Sequence, residues 1–151
     1  MRVVLDTNIL IRANPMGRGP ARELLQKIIS GDHVLITSDF LMQELARVLT
    51  YPRIEKRWRL HPREVEQYLQ VLGSLSEVVK PQPGIPIVSK DVDDDPIIYT
   101  AVTGKADVLC TLDAHFYEES VKSYCAQKNI VIMDDAELLR VVRNREEKKT
   151  G

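Results

Sequence analysis

The chain has 151 residues, enough for one domain with its own core, and its 44% apolar and 28% charged content is that of a globular protein. A net charge of −1 excludes a protein that coats nucleic acid through bulk positive charge, so any such contact must come from a local patch. No apolar run approaches the roughly 20 residues of a bilayer-spanning helix, and the opening Met-Arg-Val-Val-Leu-Asp holds no signal-peptide apolar segment, so a cytoplasmic location without membrane contact is expected.

In chain order, short β-type runs alternate with longer helical ones. Residues 2–5 form a Val-rich run that predicts a buried strand. Over 20–30, Leu24, Leu25, Ile28 and Ile29 share one helical face, and Gly31-Asp32 ends that helix. A second strand is predicted at 34–36 and a helix at 39–50, stopped before Pro52. A helix at 62–73 has Pro62 in its first turn and Val65, Leu69 and Leu72 in register. The stretch 81–90, with Pro81, Pro83, Gly84 and Pro86, predicts a loop or a short edge segment. A helix at 96–104, a strand at 107–110, a helix at 114–127, a strand at 130–132 and a helix at 134–143 follow. Residues 145–151 read as a charged, flexible tail behind a single domain over 1–144. Alternation of this kind predicts an α/β fold with a parallel sheet and helices on both faces. In such sheets the functional crevice lies at the carboxyl ends of the strands. Cys110 and Cys125 belong to no CxxC pair, so zinc is not expected, and Cys110 reads as a small buried residue.

The crevice rule directs attention to acids. Asp6 directly follows the first strand, and Asp113 comes just after the strand 107–110. Asp95 starts a helix behind Asp91, Asp93 and Asp94, and Glu44 lies inside the helix 39–50. Each Asp has a plain alternative as a helix N-cap, and Asp95-Pro96 is a favourable helix start. Glu44 fits that alternative less well. It sits at i+3 of a stripe formed by Leu41, Leu45 and Val48, where a buried carboxylate needs a cation or a route to water. Four carboxylates gather only with a counter-charge, and oxygen ligands without His or Cys favour Mg²⁺ or Mn²⁺. Such an arrangement suits phosphodiester hydrolysis.

The residues around these acids carry a resemblance. Leu-Asp-Thr-Asn-Ile-Leu (5–10) resembles the opening signature of PIN-domain nucleases. Thr-Ser-Asp-Phe-Leu-Met-Gln-Glu-Leu (37–45), the Asp-rich start of 91–101 and Ala-Asp-Val-Leu-Cys-Thr-Leu-Asp (106–113) resemble their second, third and fourth motifs, in order along nearly the whole chain. The pattern is most similar to bacterial and archaeal VapC-like proteins, the toxin components of toxin–antitoxin systems. The resemblance implies a three-layer α/β/α sandwich with a short central parallel sheet and an Mg²⁺- or Mn²⁺-dependent endoribonuclease. It implies Asp6, Glu44, Asp95 and Asp113 as catalytic metal ligands, with Asp94 as an assisting neighbour. Asn8 and Thr111 match positions that orient the carboxylates. His115 stands where many relatives carry a further acid, and reads either as a phosphate contact or as an exposed residue at a helix start. An antitoxin partner and a homodimer or higher homo-oligomer are also implied.

Residues 51–63 interleave Arg53, Lys56, Arg57, Arg59 and Arg63 with Tyr51, Trp58 and His61. That composition suits RNA contact, a protein interface or a solvated connector whose Trp58 packs on the body. Two other functions stand beside the nuclease: a non-catalytic PIN-fold RNA- or protein-binding module, and a phosphotransferase of the haloacid-dehalogenase type. The latter needs a second Asp two residues after Asp6, where this chain has Asn8.

Overall fold

The computed structural model describes residues 1–81 and 95–150, the side chain of Asp95 excepted. The loop expected over 81–90 therefore lies outside the described residues beyond Pro81, as does Asp94. Five strands run parallel: β1 (Arg2–Leu5), β2 (Val34–Ser38), β3 (Ser76–Val79), β4 (Val108–Cys110) and β5 (Val131–Met133), in the order β3-β2-β1-β4-β5. The described helices are α1 (Thr7–Arg12), α2 (Pro20–Ser30), α3 (Asp39–Leu49), α4 (Pro52–Trp58), α5 (Pro62–Leu75), α6 (Asp95–Thr103), α7 (Glu119–Gln127) and α8 (Asp135–Thr150). None of them is long and apolar enough to cross a membrane.

Successive strand residues face opposite sides of a sheet, and here both sides are apolar. Val3, Leu5, Leu35, Val108 and Cys110 pack with Leu24, Leu25 and Ile28 of α2, Tyr68 and Leu72 of α5, and Leu138 and Val142 of α8. Val4, Ile36, Leu109 and Ile132 pack with Ile98 of α6 and with Val121 and Cys125 of α7. The result is a three-layer α/β/α sandwich, which explains why the strands read as continuous apolar runs rather than alternating ones.

Several elements differ from the expectations. Helix α1, helix α4 and strand β3 are additional. The helix expected over 114–127 is a 3-10 turn (Ala114–Tyr117) followed by α7, because Glu118 between them is extended (φ −64°, ψ 143°). The last helix runs to Thr150 rather than stopping at Arg143, so residues 145–150 are helical where the sequence suggests a charged tail. Ion pairs across to α2 and the turn after it accompany that extension: Arg143 to Glu23 at 2.5 Å, Lys27 to Glu146 at 2.7 Å, and Lys149 to Asp32.

Helix α1 matters most for the site, because it starts at Asp6. A helix this short leaves most of its terminal carbonyls without partners of its own. Other groups supply them. Tyr68 Oη donates to the Leu10 carbonyl at 2.7 Å, Asn14 Nδ2 to Ile11 at 2.6 Å, and Arg22 to the following Ala13 carbonyl at 2.9 Å. The chain then turns tightly at Gly17, where a Cβ would stand 2.3 Å from the Arg12 carbonyl oxygen.

Candidate active site

From β1 the chain builds outward to β2 and β3, then returns to place β4 and β5 on the other side of β1. The strand order thus reverses between β1 and β4, and connections leaving in opposite directions open a crevice at the carboxyl ends of these two strands. Asp6 stands there. Its amide donates to the Cys110 carbonyl at 2.9 Å, which registers it with the end of β4. The residue is only 4% exposed. Oδ1 accepts the Thr7 amide at 2.7 Å, so Asp6 does cap α1. Oδ2 accepts the Thr111 hydroxyl at 2.7 Å and the Asn8 amide at 3.3 Å.

Burial pushes the Asp6 carboxyl up to about 6 from 3.8. The hydrogen bonds from Thr111 and Thr7 oppose that shift, and the charges of Glu44 and Asp113 add to it. A carboxylate raised by burial and by two further carboxylates is a group that gains from a bound cation.

Thr111 joins the first and fourth motifs. Its Oγ1 donates to Asp6 and accepts the Asp113 amide at 3.0 Å. Asn8 makes a second link, accepting the Leu112 amide at 3.3 Å. Tyr117 Oη donates to the Thr111 carbonyl at 2.9 Å and fixes the loop from below. Asp113 is half-buried, and its Oδ1 accepts the His115 amide at 3.0 Å, capping the 3-10 turn. His115 itself is exposed, with its ring 3.6 Å from Glu118.

Ser38 Oγ caps α3 by accepting the Leu41 amide at 3.3 Å, and it lies 3.0 Å from Thr100 Oγ1 of α6. The second and third motifs are tied together by that contact. The buried stripe of α3 is Leu41, Leu45 and Leu49, while Val48 and Glu44 are half-buried. Glu44 therefore flanks the stripe rather than lying within it. The physical reason is that a straight helix follows i, i+4, i+8 here, which moves the stripe away from position 48. Asp95 opens α6.

Among the described residues, no group of three or more carboxylate, imidazole or thiol side chains stands close enough to hold a metal ion. The donor chemistry nonetheless fits a hard divalent cation: the acids around Asp6 offer oxygen alone. The buried Thr7 Oγ1 beside Asp6 also has no hydrogen-bond partner, a polar atom that a hydrated ion or substrate would satisfy.

Sequence reading did not single out Asp134 and Asp135. They follow β5 as Asp6 follows β1, so the same edge rule applied to the last strand points to them. Asp134 caps α8 through the Glu137 amide at 2.8 Å, and Asp135 is a buried carboxylate at 7% exposure. In the 51–63 segment, Arg53, Lys56, Arg57 and Arg59 are exposed on or beside α4. Trp58 is half-buried against the core, with the Arg57 guanidinium 5.1 Å from its ring centroid.

The architecture is a parallel α/β/α sandwich with Asp6 buried at its switch point. The family model of the PIN domain matches residues 2–115, from the first strand through the fourth acidic motif, and the chain belongs to the PIN-domain family. PIN domains are generally nucleases and typically use divalent metals. No curated protein matches the chain.

Proposed function

We propose that this chain is an Mg²⁺- or Mn²⁺-dependent endoribonuclease that hydrolyses RNA phosphodiester bonds in the cytoplasm. The observation that carries the reading is Asp6: buried at the β1–β4 crevice, held by Thr111 and Asn8, and raised to about 6 with Glu44 and Asp113 contributing. Asp6, Glu44, Asp113 and Asp95 are the residues that would hold the cation, with Asp94 assisting. When bound, such an ion neutralises charge on the phosphate and makes an attacking water more acidic. The chain's own part is positional. Thr111 and Asn8 keep the Asp6 carboxylate aimed from β1, and Thr111 sets Asp113 against it through the backbone. In the metal-free chain burial holds the proton on Asp6 to about pH 6, so cation binding strengthens as pH rises through that range. The test is cleavage of single-stranded RNA with and without Mg²⁺ or Mn²⁺, by the parent and by Asp6→Asn. Metal-independent cleavage, or cleavage surviving in the variant, would sink the reading.

The likeness of the four motifs to VapC-like toxins supports a toxin role, with an antitoxin protein as partner. Growth arrest on expression, relieved by co-expressing a small neighbouring gene product, tests it. A homodimer or higher oligomer agrees with the apolar side chains Ile29, Val71 and Leu75 exposed on α2 and α5, and light scattering measures it. The dispersed acids among the described residues favour a second reading, a non-catalytic PIN-fold RNA- or protein-binding module. Calorimetry discriminates: a degenerate site binds Mg²⁺ no better in the parent than in Asp6→Asn.

A further inference from the structure

A cavity of about 210 Å³ opens where α1, α2, α4 and α8 meet, lined by Arg12, Gly19, Pro20, Arg57, Trp58 and Asp135. Arg12 ends the helix that Asp6 begins, six residues on, so at 1.5 Å per residue the cavity lies roughly 9 Å along α1 from the acidic crevice. Its size is below the roughly 300 Å³ of common small-molecule sites, which suits a single ring system rather than a whole nucleotide.

The lining has three kinds of chemistry. The Arg57 guanidinium stands over the Trp58 ring, both line the cavity, and both kinds of group stack on bases. Arg12 is exposed at the rim, where a backbone phosphate would pass. Asp135 lines the cavity as a 7% exposed residue; its Oδ1 accepts the neighbouring Ala136 amide at 3.0 Å, and no described cation stands within ion-pair distance of it. An ionised carboxylate offers about four acceptor sites, and the Ala136 amide fills one of them. The complement of that carboxylate in the cavity is a donor. Among the RNA bases, guanine alone places two adjacent N–H donors on its Watson–Crick edge, matching the two carboxylate oxygens.

We propose that this cavity is a base-recognition subsite that takes one unpaired guanine of the RNA, stacked on the Arg57–Trp58 pair and hydrogen-bonded to Asp135. The inference rests on the ribonuclease reading for its substrate class, and the test separates the two. Trp58 is the single tryptophan of the chain, so its fluorescence reports on the cavity without any turnover. The whole chain, in EDTA, is titrated with GMP, AMP, CMP and UMP, as parent and as Asp6→Asn. The expected result is saturable quenching by GMP in both, with the other three about 10-fold weaker, the value of a hydrogen bond to a charged group. Asp135→Asn should bring GMP to the level of the others while leaving its stacking intact. Absence of saturable quenching, or equal affinity for all four nucleotides in the parent, would overturn the proposal. So would selective quenching by peptides with none by nucleotides, which would make the cavity a protein contact. GMP-selective quenching in a chain that cuts no RNA would support the subsite and remove the nuclease. Cleavage without quenching would do the reverse.

Discussion

Asp6 concentrates the energetics of the site in one carboxyl group. In the folded chain it keeps its proton to about pH 6, against 3.8 for an ordinary aspartate. A group raised on folding contributes stability that is fully present below its unfolded value and is lost as pH rises through the folded one. That loss amounts to about 3 kcal/mol at 1.36 kcal/mol per unit. Asp6→Asn removes the burdened charge, so in EDTA above pH 7 it should be more stable than the parent by up to about 3 kcal/mol, with the two converging near pH 4. Denaturant melts across that range check this, and a difference independent of pH contradicts it. Mg²⁺ should raise the melting temperature of the parent and leave the variant unchanged. Thr111 makes a related prediction. Thr111→Val leaves the buried Asp6 Oδ2 and the Asp113 amide each one partner short, which should cost about 1–3 kcal/mol and lower cleavage. Urea unfolding and a cleavage assay read the two effects, and a variant as stable and active as the parent would remove Thr111 from its place between the motifs.

At the scale of elements, α1 is the part that aims Asp6, and it depends on α5. Tyr68→Phe removes the donor to the Leu10 carbonyl and should cost about 0.5–1.5 kcal/mol, measured by the shift in denaturation midpoint. A neutral result would show that α1 holds its place without that bond. The sequence could not reveal this dependence. Helix α1 spans Thr7–Arg12, too short for a helical period, and lies against a signature that draws the eye to Asp6 alone. Strand β3 was hidden for another reason. It follows α5 without a break, and Glu77 and Val78 at this sheet edge are exposed, so no buried alternation marks it. Strands β1, β2 and β4 were legible because central parallel strands are apolar on both faces, and the edge strand β5 through its short apolar run Ile130-Val131-Ile132. The acids following β1 and β4 were legible for the same reason, since a clear strand end locates the residue after it. The stripe of α3 ends at Leu49 rather than at Val48, because Val48 looks as apolar as Leu49 in sequence and only packing separates them.

At the scale of the molecule, charge is divided rather than abundant. The net value of −1 comprises an acid-rich strand edge with Asp6, Asp113, Asp134 and Asp135, and the cations of α4 with its flank. An RNA drawn to Arg53, Lys56, Arg57 and Arg59 makes few phosphate contacts. The slope of log affinity against log salt should therefore be no steeper than about −3 for a single strand, and a steeper slope would mean a wider basic track than this one. The central claim is that the crevice between β1 and β4 cuts RNA through its acids. The most direct measurement is time-resolved cleavage of a single-stranded RNA by the parent and by Asp6→Asn, each with Mg²⁺, with Mn²⁺ and with EDTA. Internal cleavage by the parent in either metal, abolished by EDTA and by the substitution, is the predicted result. Equal cleavage by both proteins, or none by the parent in either metal while the RNA still binds, would contradict it.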